Sequence, residues 1–140
     1  SQVKLEKGSV ATPFNSRPIA TELALCQRYY EKSYEISVAP GTATLTGIRY
    51  FDPLTTALCI PRSPAFAVEK RTTPTCTLYG YASGTINTLN DYQTGAIVYT
   101  FSSLQYASSK VFAGYVTTTG SPAMAAGVDA IAHFTADAEL

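Results

Sequence analysis

Apolar positions along the chain change period near residue 34. Before it, Ile19, Leu23, Cys26 and Tyr30 recur at spacings of 4, 3 and 4 and fall on one face of a helix. Glu22, Arg28, Glu31 and Lys32 take the other directions, and no Gly or Pro interrupts the run. The pattern predicts a helix over about 17–33, with Ser16 as N-cap and Pro18 in the first turn, where its missing N–H does no harm. After Tyr34 the period becomes 2. Tyr34, Ile36 and Val38 alternate, and "TATLTGIRYF", "ALCI", "AFAVEKR", "TCTLYGYA", "AIVYTF", "KVFAGYVTT" and "AGVDAIAHFTADAEL" follow as strand-like runs. "DPLT" reads as a turn and "SGTINTLNDYQTG" as a long polar loop. Alternation places Phe66 and Val68 together, opposite Ala67 and Glu69. It turns Cys76 and Leu78 inward and Thr75, Thr77 and Tyr79 outward, and sets His133 opposite Ala130, Ala132 and Phe134.

Eight or nine short strands with frequent turn signals predict a mainly β fold: an antiparallel β-sandwich, jelly-roll-like, of about eight strands with one N-terminal helix. That helix must cover a sheet face, fill an open end or pack on a neighbouring subunit. Residues 1–14, with alternation at Val3–Leu5 and two prolines, are expected to be a strand and linker at the junction with an upstream module. Residues 15–140 are expected to form the single sandwich domain, the helix included.

Composition narrows the function classes. The 140 residues are 46% hydrophobic and 14% charged, which marks a folded chain. Ten Lys/Arg balance ten Asp/Glu, and Lys70-Arg71 is the only adjacent basic pair. No basic patch of the kind that neutralises phosphates is present, so no nucleic-acid partner is expected. No apolar run approaches the ~20 residues of a membrane span, so membrane insertion is not expected either. The opening residues lack a signal-peptide pattern, and the missing initiator Met points to a piece of a longer chain. Cys26, Cys59 and Cys76 match neither a disulfide framework nor a zinc site and are read as small buried apolar residues. Were two to pair, Cys59 and Cys76 lie in adjacent strand-like runs.

Catalytic chemistry finds little support. His133 is the only histidine, there is no G-x-S-x-G elbow, and the alternating segment marks His133 as a surface or subunit-contact residue. Phosphate-loop and dinucleotide patterns are absent, so no cofactor or metal is expected. Paired carboxylates for glycoside hydrolysis are the hardest class to dismiss. The candidates are Asp52, Glu69, Asp91 and Asp129; Asp52 precedes Pro53 and reads as a turn former, Asp91 lies in the polar loop, and Glu69 begins a charged strand end. The chain is therefore expected not to be an enzyme.

Surface recognition remains. Ten tyrosines against no tryptophan supply flat apolar faces that carry a hydroxyl. Tyr79, Tyr81 and Tyr92 bracket the loop holding Asn87, Asn90 and Asp91, and aromatic faces beside amides and a carboxylate suit a glycan. The competing reading makes these tyrosines half-buried strand residues. The loop segment "TINTLND" is expected to be dispensable for folding but needed for recognition.

Three blocks together resemble the C-terminal domain of bacteriophage tail fibre and tail-tip host-attachment proteins. They are "KLEKGSVATPFNSRPIATELALCQRYYEKSY", "FAVEKRTTPTCTLYGYASGT" and the ending "TADAEL". They cover about two fifths of the chain; the helix block is the most specific of the three. The resemblance implies a virion protein of the phage tail, assembled in the reducing host cytoplasm, which fits unpaired thiols. It implies a homotrimer that contacts other tail proteins and binds a host cell-surface glycan or protein receptor. It transfers no receptor-binding residue, because those loops vary between phages; "SGTINTLNDYQTG" and "GYVTTTGSPAMAAG" depart from the family pattern and leave the receptor's identity open. One alternative is a trimerising cap, with Leu25 or Tyr29 packed across a three-fold and receptor contact elsewhere. A glycan-cleaving tip ranks third.

Overall fold

One strand organises the computed structural model, which describes residues 7–10, 12–13, 16–55, 58–62, 65–100, 107–112 and 129–139. In chain order the elements are α1 (Ile19–Gln27), β1 (Tyr30–Lys32), β2 (Arg49–Thr55), β3 (Leu58–Pro61), β4 (Thr75–Tyr79), β5 (Thr88–Asp91), β6 (Ile97–Thr100) and β7 (Ala130–Asp137). The last strand, β7, pairs antiparallel with four others. Its first half lies between β2 and β5, with Tyr50 and Asn90 both opposite Ile131. Its second half lies between β1 and β4, with Glu31 and Cys76 both opposite Ala136. β3 and β6 extend the sheet outward from β2 and β5.

The fold is thus mainly β, a single curled antiparallel sheet of seven named strands with one short helix. A sandwich of eight strands is not what the described residues form. The expected strand at Val3–Leu5 and the segment "GYVTTTGSPAMAAG" lie outside the described residues.

Alternation along β7 divides its surroundings. Ala130, Ala132, Phe134 and Ala136 point into the main core with Phe51, Phe66, Leu78, Leu89 and Phe112. Small alanines leave room for large rings, and Phe112 lies 4.8 Å from Phe134 and 5.5 Å from Phe66 between centroids. Burying a ring of this size stabilises the fold by roughly 1.5–3 kcal/mol. Cys76 packs against the same cluster, and burial pushes its thiol up to about 11. The expected inward set of Cys76 and Leu78 is therefore observed, and so is the placement of His133 opposite Ala132 and Phe134.

The helix is shorter than its apolar period predicts. It stops at Gln27 because the edge of β7 captures the next residues. Tyr30, Glu31 and Lys32 pair with Asp137, Ala136 and Thr135, and Tyr29 O accepts the Ala138 N–H at 2.6 Å. Lys70 secures the junction from below. Its fully buried ammonium donates to Gln27 O at 2.6 Å, to Glu31 Oε2 at 2.5 Å and to Val68 O at 3.0 Å. All three ammonium protons are used, and a cation at the last helical carbonyls is favoured by the helix dipole. At the other end Pro18, not Ser16, occupies the cap position, and no side chain caps it. No helical residue is buried: Ile19 is 86% exposed and Cys26 is exposed too, against the expectation of three buried cysteines.

Other local patterns also yielded to packing. Residues 33–48 form turns, with Tyr34 buried and Ile36 81% exposed, so the expected strand over Tyr34–Val38 is absent. The strand read from "TATLTGIRYF" begins only at Arg49. "DPLT" continues β2 as far as Thr55, paired with β3. "AFAVEKR" contributes a bridge at Ala65 and a buried Phe66 without forming a strand. The polar stretch after Ser83 is not a loop. Thr88, Leu89 and Asn90 are buried in β5, and a turn at 92–94 leads into β6. Deleting "TINTLND" would remove a strand that pairs with both β6 and β7, which corrects the expectation that it is dispensable. Gly84, at φ 69°, lets this turn approach the backbone of Gly41, where an added Cβ would lie 1.8 Å from Gly41 O.

Candidate functional site

The opposite face of β7 grades from closed to open. Ile131 and His133 are fully buried, Thr135 is nearly so, and Asp137 is exposed. Cross-strand pairing sets side chains on this face in rows. Tyr30, Asp137 and Thr75 form one row across β1, β7 and β4; Lys32, Thr135 and Thr77 form the next. His133 and Tyr79 begin the third. These rows floor an open cleft of about 570 Å³ lined by Tyr30, Thr75, Thr77, Tyr79, Thr135, Asp137 and Glu139. Its surface is polar: three threonine hydroxyls, two phenols and two carboxylates. Lys32 shares the second row, but its ammonium is held by Ile36 O at 2.9 Å and Val38 O at 2.6 Å.

One end of the cleft is braced by a closed set of hydrogen bonds. Tyr34 stacks on His133 with ring centroids 3.9 Å apart and meets Tyr79 edge-on at 6.1 Å. His133 Nε2 lies 2.9 Å from Thr44 O, and a carbonyl only accepts, so this nitrogen carries the proton. Nδ1 of the neutral ring then accepts the Ser33 hydroxyl at 3.0 Å, and Ser33 Oγ accepts the Phe134 N–H at 2.9 Å. Burial holds the imidazole below its usual range; the Thr44 bond raises it and nearby Arg49 lowers it. His133 is therefore an internal brace, which corrects its assignment to the surface. The Gly41 N–H donates to Tyr34 Oη at 3.0 Å and fixes that ring. Burial, then Tyr79 and Asp137, raise the Tyr30 phenol, so its hydroxyl remains protonated and available to donate.

The six residues singled out from sequence divide among different roles. Tyr79 lines the cleft. Tyr81 is half-buried; its carbonyl accepts the Thr44 N–H at 3.2 Å, and its hydroxyl packs over Gly95. Asn87 takes φ 57° in the turn that bridges back to β4. Asn90 is fully buried and donates to Gly95 O at 2.9 Å, while its Oδ1 has no partner among the described residues. Asp91 accepts the Gln93 and Thr94 N–H groups at 2.7 and 2.8 Å, and the Thr94 bond chiefly lowers its carboxyl. Tyr92 is 48% exposed, 5.7 Å from Tyr50, and belongs to another surface. Only Tyr79 reaches the cleft.

That other surface gathers two of the carboxylates weighed for hydrolysis. Arg62 Nε bonds Asp52 Oδ1 at 2.6 Å, its Nη2 bonds Asp129, and its guanidinium lies 5.4 Å from the Tyr50 ring. Asp52 and Asp129 do converge, but on a guanidinium that sits between them. Glu69 is held elsewhere by Ser109 at 3.1 Å.

Tyr30, Thr75, Thr77, Thr135, Asp137 and Glu139 were missing from the sequence-derived site. The outward phase of Thr75, Thr77 and Tyr79 was legible; that β1 and β7 complete their surface was not. Among the described residues no group of three or more His, Cys, Asp or Glu side chains is arranged to hold a metal ion. No protein-family model, curated protein or solved structure matches this chain.

Proposed function

We propose that this chain is a receptor-binding domain of a phage tail fibre or tail tip, and that it binds a host cell-surface glycan in the cleft on β1, β7 and β4. The observation that carries the reading is the cleft's lining: hydroxyls of Thr75, Thr77 and Thr135 in register between Tyr30 and Tyr79. Sugars are recognised by hydrogen bonds to their hydroxyls and by apolar contact with ring faces, and this surface offers both. Its rigidity supports binding without an ordering cost, since the floor is three paired strands braced by His133. In this reading the domain is a binding module and not a hydrolase. The curled sheet is one wall of a jelly-roll-like sandwich, which fits the burial of β7 on both faces.

The test is adsorption and glycan binding by the domain carrying Thr77→Val and Tyr79→Ala. Binding should fall at least about tenfold with the fold retained, as expected for an aromatic anchor and a paired hydroxyl. Unchanged adsorption would remove the cleft from the site. Release of reducing ends from host polysaccharide would instead make the protein a glycan-cleaving tip.

A second reading, a trimerising cap, is favoured by α1. Ile19, Leu23 and Leu25 are all exposed on it, and Tyr29 just beyond its end, so the helix leaves apolar surface uncovered. Sedimentation decides it: a monomer at micromolar concentration counts against the cap, and a trimer disrupted by Leu25→Glu supports it.

A further inference from the structure

We infer that the cleft on β1, β7 and β4 selects against acidic saccharides and takes an uncharged glycan or one bearing a free amine. The inference rests on the glycan-binding reading and goes beyond it by naming the charge class of the ligand.

The argument is one of unbalanced charge. Asp137 and Glu139 are the charged groups in the cleft lining, and both are exposed. Asp137 Oδ1 accepts the Glu139 N–H at 2.9 Å, which holds the Asp137 carboxylate in place. Among the described residues that line the cleft, none is a cation. On β1, Lys32 shares a row with Thr135, and its ammonium donates to the carbonyls of Ile36 and Val38. Arg62, which could pair with an anion, is occupied by Asp52 and Asp129 at the other end of the sheet. Carboxylate, sulfate or phosphate groups on a bound sugar would meet two like charges with no guanidinium or ammonium among the described lining residues to bridge them. The remaining groups, threonine hydroxyls and tyrosine phenols, pair as well with neutral hydroxyls as with anything else. A primary amine gains what an anion loses, because both carboxylates accept from it with charge assistance. Two like charges near contact distance at a wet surface amount to discrimination on the order of tenfold.

The experiment is a glycan array and titration with the whole chain. It uses saccharides of one backbone in three forms: neutral, uronate or sulfated, and de-N-acetylated to the free amine. The expected result is binding of the neutral and amine forms, with the acidic form at least about tenfold weaker at low salt. The gap should shrink toward about 1 M salt, where screening reaches contact range. In Asp137→Asn/Glu139→Gln, the ratio of neutral to acidic affinity should fall toward one. If that variant fails to fold, the salt dependence of the natural chain still decides. An acidic form that binds as well as or better than the neutral one overturns the selectivity and leaves the glycan reading standing. Failure of all three forms, with host adsorption intact, overturns the glycan reading itself.

Discussion

The two faces of β7 carry the same strand's residues to opposite ends. One face holds Ala130, Ala132, Phe134 and Ala136 against a cluster of phenylalanine rings. The other runs Ile131, His133, Thr135, Asp137 and opens into a polar cleft. Both faces have four paired strands around them, so the difference lies in what each period-2 series can bury. The core face is apolar and even accommodates an ion pair, Glu31 with Lys70, because every donor of the ammonium is used. The cleft face presents groups that water or a ligand must satisfy. The core face stabilises; the cleft face is free to recognise.

Breaking this contrast gives a graded series. Deleting residues 85–91 should abolish folding altogether, seen as loss of a cooperative urea transition, because β5 joins β6 to β7. Phe134→Ala should cost about 3–5 kcal/mol, measured by urea unfolding, since it empties the centre of the ring cluster. Lys70→Met should cost a comparable ~3–5 kcal/mol by leaving the Glu31 carboxylate buried and unpaired. Adding Glu31→Leu to it should recover part of that loss. A Lys70→Met protein as stable as the parent would mean the pair is not the brace described above.

The cleft face should respond more gently. His133 titrates below its ordinary 6.5 in the folded chain, so the unfolded chain binds the proton first as pH falls. Stability should be flat above about 6.5 and decline as pH drops through 6.5 toward the lower folded value, levelling off below it. The decline should be absent in His133→Gln; midpoints of thermal unfolding across pH would show it. Thr77→Val should change stability by no more than about 0.5 kcal/mol, because its side chain is half-buried at the cleft. A large destabilisation there would mean the cleft face also holds the fold.

The sequence carried part of this contrast. Period-2 alternation placed Leu78 and Cys76 inward and Thr75, Thr77 and Tyr79 outward, and it put His133 opposite Phe134. Those are local consequences of strand geometry. It misplaced what depends on distant partners. "TINTLND" is polar by composition, yet Thr88 and Asn90 are buried because β5 fills the slot between β6 and β7. His133 looked like a surface residue until Tyr34, Ser33 and Thr44 closed over it.

The N-terminal block shows the same division. Residues 19–27 carry their helix in their own propensities, with good formers, an acidic first turn and no breaker. Where it ends was decided elsewhere, by the open edge of β7 and by a lysine 43 residues downstream of Gln27. Helix propensity is worth tenths of a kcal/mol per residue, whereas pairing with a buried edge satisfies whole backbone groups. What the chain determined by itself was the phase of β4 and β7 and the presence of its helix. The tertiary structure alone brought Tyr30, Thr77, Thr135 and Asp137 to one surface, because a cleft made of three strands exists only once those strands have paired.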